Sequence, residues 1–230
     1  MLVQIRIRGR ILSVRPYAAL LIDVQFVTDL VLTGGENRNQ ELKASISWEN
    51  ELARFKITKT IMAMANISNG GRIIIGVQDD KGKYDPCGMT ESDFESFNQD
   101  DVCDFVGKYA DPFVNVQVFK VAEGHNRFVV ITTEEFEKYP VICKKRYSAK
   151  NEKGEPSILE NGDICTRTIG ARPKSSKVTS STDLRQILDL AIKKEVVTQI
   201  QEMSMLGVSI TGAQVKTDED KFKEQIEAFL

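Results

Sequence analysis

Histidine is nearly missing from this sequence: His125 is the single one in 230 residues. It falls in Glu123-Gly124-His125-Asn126, a segment that reads as a hairpin turn. A Ser-His-Asp or Cys-His mechanism would have to run through that residue, which argues against both. Cysteine is sparse as well. Cys87, Cys103, Cys143 and Cys165 never stand within four positions of one another, so neither a zinc-knuckle pair nor a redox Cys-x-x-Cys is present. Four reduced thiols, mostly core-packed, are expected.

Long apolar runs are lacking too. No stretch approaches the ~18–20 residues that cross a bilayer. The most apolar early segment, Tyr17 to Leu32, is interrupted by Asp23 and Asp29 and has no small-residue cleavage site, so it does not read as a secretory signal. A cytoplasmic protein without a membrane role is expected. An excess of positive charge is also absent. The net charge is −2 and the isoelectric point about 5.7, which excludes a globally basic nucleic-acid binder. No internal repeat is visible, and no Lys-Ser/Thr follows the Gly70-Gly71 pair as in a nucleotide P-loop.

Charge is present, but unevenly distributed. Acids dominate from Asp79 to Asp104, and bases dominate from Lys144 to Lys177. The cations Lys144, Lys145, Arg146, Arg167, Arg172, Lys174 and Lys177 stand equally for a solvated rim and for phosphate contacts.

Hydrophobic periodicity organises the rest. Residues 3–8 alternate as a half-buried strand does, and β-branched residues continue to Leu32, giving a β-rich N-terminal arm over residues 1–40. Leu52 to Ile57 is expected as a short strand. Thr58 is expected to cap a helix carrying Ile61, Met64 and Ala65. Asn66, Gly70 and Gly71 close that helix in a tight turn, and Ile73 to Val77, which includes Gly76, reads as a buried strand. Asp79 and Asp80 read as turn residues. Thr90 with Asp93 forms a capping box, and the helix it opens breaks near Asn98. Strands follow at 113–121, 127–132, 141–147 and 163–169. Residues 148–161 and 170–181 are expected as loops. A helix opens at Asp183, with Leu184, Ile187, Leu188, Ala191 and Ile192 on one face. The single tryptophan, Trp48, is expected in the core rather than as a base-stacking platform. Together these elements predict an α/β (α+β) fold with a mixed sheet flanked by helices. A central domain over residues 41–178 is followed by a helical segment over 179–230.

One combination is distinctive. Phe55-Lys56, Ala63-Met64-Ala65-Asn66, Gly70-Gly71, Ile74-Ile75-Gly76-Val77 and Asp79-Asp80 resemble the core of the Schlafen AlbA-like family. There a Glu-Phe-Lys strand leads into a helix ending Ala-Asn, followed by a Gly-Gly turn, an Ile-Gly-Val strand and an acidic turn. Tyr139 to Lys144, Gly162 to Arg167 and Leu184 to Ala191 are similar to bacterial members.

The resemblance implies DNA or RNA as the partner, contacted through Lys144, Lys145, Arg146, Arg167, Arg172 and Lys174, with no cofactor. For the members that cut RNA with three carboxylates and Mg²⁺ or Mn²⁺, it implies Glu49 as the first ligand and Asp79 as the third, with Arg54 at the second. A cation there opposes metal, so binding is favoured over cleavage. A protein-interaction or regulatory domain, dimerising edge to edge through its N-terminal strands, is a third reading.

Overall fold

The computed structural model describes residues 3–7, 10–14, 24–80, 82–150, 154, 156–170 and 172–206. The C-terminal segment expected at Phe222, Ile226 and Phe229 lies outside them. In chain order the elements are β1 (Val3–Ile7), β2 (Arg10–Val14), α1 (Val24–Gly34), β3 (Gln40–Lys43), α2 (Glu51–Ala65), β4 (Gly71–Ile75), β5 (Gln78–Asp80) and β6 (Lys83–Asp85). Then come α3 (Glu91–Glu95), α4 (Gln99–Gly107), β7 (Ala110–Asp111), β8 (Val116–Glu123) and β9 (Asn126–Thr133). The last are β10 (Ile142–Cys143), β11 (Tyr147–Lys150), β12 (Pro156–Leu159), β13 (Cys165–Arg167), β14 (Ser175–Lys177) and α5 (Ser181–Met205). The chain divides into two units, Met1–Leu190 and Ala191–Leu230.

The mixed sheet expected from the sequence is the centre of the first unit. Its order is β3-β4-β9-β8, with β3 parallel to β4 and the other pairs antiparallel. Ile73, Ile74 and Ile75 are all fully buried, so β4 is covered on both faces, as the lack of polar alternation required. One cover is α1. Val24, Val27 and Val31 recur at helical spacing and join Leu42, Ile74, Phe128 and Val130 in one apolar cluster. The β-rich arm expected over residues 1–40 is thus corrected. Among the described residues β1 and β2 pair antiparallel, and the valines from Val24 on are helical because their period is three to four rather than two.

The other cover is α2, which contacts β4 and β9 on one side and β11, β13 and β14 on the other. From Ile57 to Ile67 every residue but Lys59 is buried. A helix enclosed on all sides is apolar all round. The strand expected at Leu52 to Ile57 is therefore a second correction, because those residues belong to α2. Asn50 starts the helix, its side chain accepting from the Ala53 amide at 3.0 Å, while Thr58 is buried mid-helix and caps nothing. Asn66 ends it. Its Nδ2 donates to the carbonyls of Val141 (2.8 Å) and Cys165 (2.9 Å), and its Oδ1 accepts from the Val141 amide at 2.7 Å.

Further along, Thr90 caps its helix as expected, but the capping box is half formed, because the Thr90 amide donates to Ser45 Oγ rather than to Asp93. The Thr90 hydroxyl accepts from the Asp93 amide, and Asn98 separates α3 from α4 as the cap of the latter. Trp48 is buried, its ring 5.7 Å from both Phe97 and Phe105. The single strand expected at 141–147 is instead two, β10 and β11, split by Lys144-Lys145-Arg146. The loop at 148–161 contains β12, which pairs with β11, and β14 interrupts the basic stretch 170–181 by pairing with β13. In α5, Ile187 is buried, whereas Leu184 and Leu188 are exposed.

Candidate functional site

Three segments distant in sequence meet around a groove of about 400 Å³. Strand β3 brings Glu41 and Lys43, helix α2 brings Lys56, Lys59 and Thr60, and β13 with the start of β14 brings Arg167, Lys174 and Ser175. Glu36 and Pro173 complete the rim. The floor is a polar relay. Arg167 Nη1 donates to Ser175 Oγ at 3.3 Å, Ser175 Oγ bonds Thr60 Oγ1 at 3.0 Å, and Thr60 Oγ1 donates to Glu41 Oε2 at 3.3 Å. Arg167 and Lys43 both form ion pairs with Glu41. Arg167 donates further to the carbonyls of Asn37 and Arg38.

The electrostatic balance follows from those pairs. Glu41 is shared by two cations. Lys56, Lys59 and Lys174 form no ion pair among the described residues, and Glu36 Oε1 accepts from the Leu42 amide. On a chain of net charge −2, three lysines outside any described ion pair therefore line one concavity. Such a site attracts anions locally on a chain whose net charge is negative.

The sequence-based candidates divide accordingly. Lys174 lies exposed at the groove. Arg167 lines it but is 1% exposed, so its place as a surface phosphate contact is corrected: its guanidinium is consumed by Glu41 and backbone carbonyls. Lys144, Lys145 and Arg146 are exposed between β10 and β11, and Arg146 faces Glu160 at 3.5 Å. Arg172 is exposed and extends toward Gly82 beside the β5–β6 hairpin. The two late segments are neighbours, since Ile142 bridges Ile164 and Cys143 accepts from the Gly162 amide at 2.7 Å. None of those four cations lines the groove. Sequence reasoning missed Lys43, Lys56 and Lys59. The available signal was the lysine pair three residues apart in an otherwise apolar helical stretch.

The carboxylate positions also change. Glu49 is exposed in the turn before α2. Asp79 is exposed on β5, its Oδ1 accepting from the Gly82 amide at 2.6 Å. Arg54 sits in α2 with its guanidinium 5.1 Å from the centre of the Phe105 ring. Since Arg54-Phe55-Lys56 is helical, it cannot be the Glu-Phe-Lys strand. The strand that lies beside Ile73-Ile74-Ile75 and leads into the helix ending Ala65-Asn66 is β3, with Glu41-Leu42-Lys43 in the corresponding place. Among the described residues no three His, Cys, Asp or Glu side chains gather as a metal site, and Glu41 is already balanced by Arg167 and Lys43.

The remaining reactive groups stand apart. Burial raises the Cys143 thiol and pushes that of Cys165 up to about 12, so both stay protonated. Gly70, at φ +59°, and Gly71 pack against the end of β9 and against Met64, and Gly76 lies against Phe128 at φ +110°. These glycines, like Asn66, are fixed by close packing. Among the described residues no helix is long and apolar enough to cross a membrane.

An uncharacterized ATP-binding protein of Ureaplasma parvum serovar 3 is 29% identical over 177 residues, 71% of this chain and 45% of that protein, so the chain spans less than half of this relative. Two solved structures are similar at low identity. The DIP2311 protein of Corynebacterium diphtheriae is 14% identical over 70% of this chain and 27% of its own, with a TM-score of 0.40. The N-terminal domain of an ATP-dependent DNA helicase RecG-related protein of Nitrosomonas europaea is 19% identical over 62% of this chain and 90% of its own, with a TM-score of 0.39. The model of the Schlafen AlbA_2 family matches residues 36–168, from the rim of the groove at Glu36 to the end of β13, and the chain belongs to that family.

Proposed function

We propose that this protein is a nucleic-acid-binding module that holds backbone phosphates in the groove between β3, α2 and β14. The observation that carries the reading is the convergence of Lys56, Lys59 and Lys174, which form no ion pair among the described residues, on one concavity of an acidic chain. Lysine is a flexible point charge suited to phosphate oxygens. The hydroxyls of Thr60 and Ser175 donate within the floor relay, so the phosphate contacts fall to the lysines. Lys144, Lys145, Arg146 and Arg172 extend the positive surface beyond the groove. Contacts of this kind position a nucleic acid without reading its bases, so DNA and RNA both fit. Membership of the Schlafen AlbA_2 family supports the reading, and the ATP-binding description of the Ureaplasma relative names another phosphate-bearing ligand. No cofactor is required. No cleavage step is assigned, because Glu41, the carboxylate at the heart of the groove, is neutralised by two cations.

Fluorescence anisotropy with labelled single-stranded and duplex oligonucleotides at a series of salt concentrations tests this. Binding should weaken steeply with salt. Reversing Lys56 and Lys59 to glutamate should flatten the log–log slope by roughly two units while the melting temperature holds. A double variant that binds like the parent at low salt would remove the groove as the interface.

A further inference from the structure

A second concavity, of about 370 Å³, has the opposite chemistry. Its walls are the Phe113–Asn115 segment that enters β8 and the 134–141 segment that leaves β9. The floor is apolar, made by Ala65, Val114, Phe136 and Val141, of which none is more than 4% exposed. The rim is aromatic and acidic. Phe113 is 73% and Tyr139 62% exposed, and Glu134, Glu135, Glu137 and Lys138 line the cleft beside them. Two large aromatic side chains left in water beside three carboxylates are not explained by the fold, since neither ring contributes to the buried core.

The walls are fixed in place. The Phe136 amide donates to the Ala65 carbonyl at 2.8 Å, the Val141 amide to Asn66 Oδ1 at 2.7 Å, and the Glu134 amide to the Asn115 carbonyl at 3.3 Å. Asn115 Nδ2 also donates to Glu134 Oε2 at 3.0 Å. A cleft held by backbone bonds on both sides loses little entropy when it is filled. One feature indicates what fills it: the Lys138 ammonium lies 5.5 Å from the centre of the Tyr139 ring, so a cation already rests on that aromatic face.

We propose that this cleft is a docking site for an arginine side chain of a partner polypeptide. The flat guanidinium stacks through its face on the exposed Phe113 ring, beside the Tyr139 ring that Lys138 already covers. Its edge donates to Glu137, which has no partner among the described residues, and to the free lone pairs of Glu134. Arginine is favoured over lysine because the planar, weakly hydrated guanidinium combines stacking with a forked hydrogen-bonding edge, which an ammonium cannot do. The site is independent of the phosphate groove, shares no residue with it and selects the opposite charge.

The test uses the full chain and three fluorescein-labelled peptides of glycine and serine that differ in one central residue pair: arginine, lysine or glutamine. Anisotropy should rank arginine above lysine above glutamine. Glu137→Lys and the Phe113→Ala, Tyr139→Ala double variant should each weaken the arginine peptide by roughly three- to tenfold, the range expected for an exposed cation–π contact or a charge-assisted hydrogen bond. Both variants change exposed side chains, and unaltered melting temperatures verify their folds. Equal binding of the arginine and glutamine peptides, no binding of any, or undiminished binding by both variants would overturn the proposal. Oligonucleotide binding measured on the same variants should be unchanged, which separates this site from the groove.

Discussion

Arg167 and Glu41, 126 residues apart in the chain, form an ion pair in which the arginine is 1% exposed. The pair ties β13 to β3 across the polar edge of α2, and the arginine also anchors the Asn37 and Arg38 carbonyls. Removing Arg167 takes the buried partner from Glu41, leaving it Lys43 and the Thr60 hydroxyl, and strips the Asn37 and Arg38 carbonyls of their donor. Arg167→Met should therefore cost about 3–5 kcal/mol of stability, whereas Lys174→Ala on the same groove should stay within about 0.5 kcal/mol. Urea denaturation of the two variants checks this, and a midpoint for Arg167→Met equal to that of the parent would refute the structural role.

Arg54 offers a second check, on the placement of the carboxylates. Its guanidinium lies over Phe105 and is not among the residues of the β3 groove. Arg54→Glu should lose the cation–π contact, about 0.5–1 kcal/mol of stability, and should give the same calorimetric response to Mn²⁺ as the parent. A new Mn²⁺ site in that variant would restore Arg54 to the position of a missing metal ligand.

How far the sequence discloses this molecule depends on the range of the interaction. Caps and turns are set within a few residues, so Thr90, Asn98 and the Gly70-Gly71 turn were legible. So was β4, because three consecutive isoleucines leave no exposed face. The valines of α1 were read as β-branched strand formers although Val24, Val27 and Val31 carry a helical period; packing on Ile74 and Phe128 overrides intrinsic preference. The groove was not legible, since β3, α2 and β14 supply it from three distant segments. Arg167 looked like its basic neighbours because nothing local marks a cation whose partner lies in β3.

Gly70 gives a third prediction. At φ +59°, a Cβ there would stand 2.0 Å from the Thr133 carbonyl oxygen, so both backbone conformation and space require glycine. Gly124, at φ +60°, has nothing within 4 Å. Gly124→Ala should cost about 1 kcal/mol through strain alone, and Gly70→Val clearly more, at least ~3 kcal/mol, because β9 must move. Thermal denaturation of both variants distinguishes strain from collision. Equal losses would mean that the Thr133 backbone yields freely.

Alkaline pH probes the buried aromatic cluster. Tyr147 is 5% exposed, stacks on Tyr109 at 4.4 Å and donates its hydroxyl to the Glu51 carbonyl at 3.2 Å. Burial first, and the neighbouring Tyr109 second, push its phenol from 10.0 up to about 12. Burial likewise pushes the Cys165 thiol from 9.0 up to about 12. Both folded values lie above the unfolded ones. Below pH 9 the two states hold the same protons at these groups, and stability is at its full value. Between pH 9 and 12 the unfolded chain releases protons that the folded chain keeps, so stability falls as pH rises. Urea midpoints across this range should decline in the parent. Tyr147→Phe cannot ionise and should start lower, having lost the bond to Glu51, yet decline less steeply. Parallel curves for parent and variant would show that the Tyr147 phenol is not held protonated by the fold.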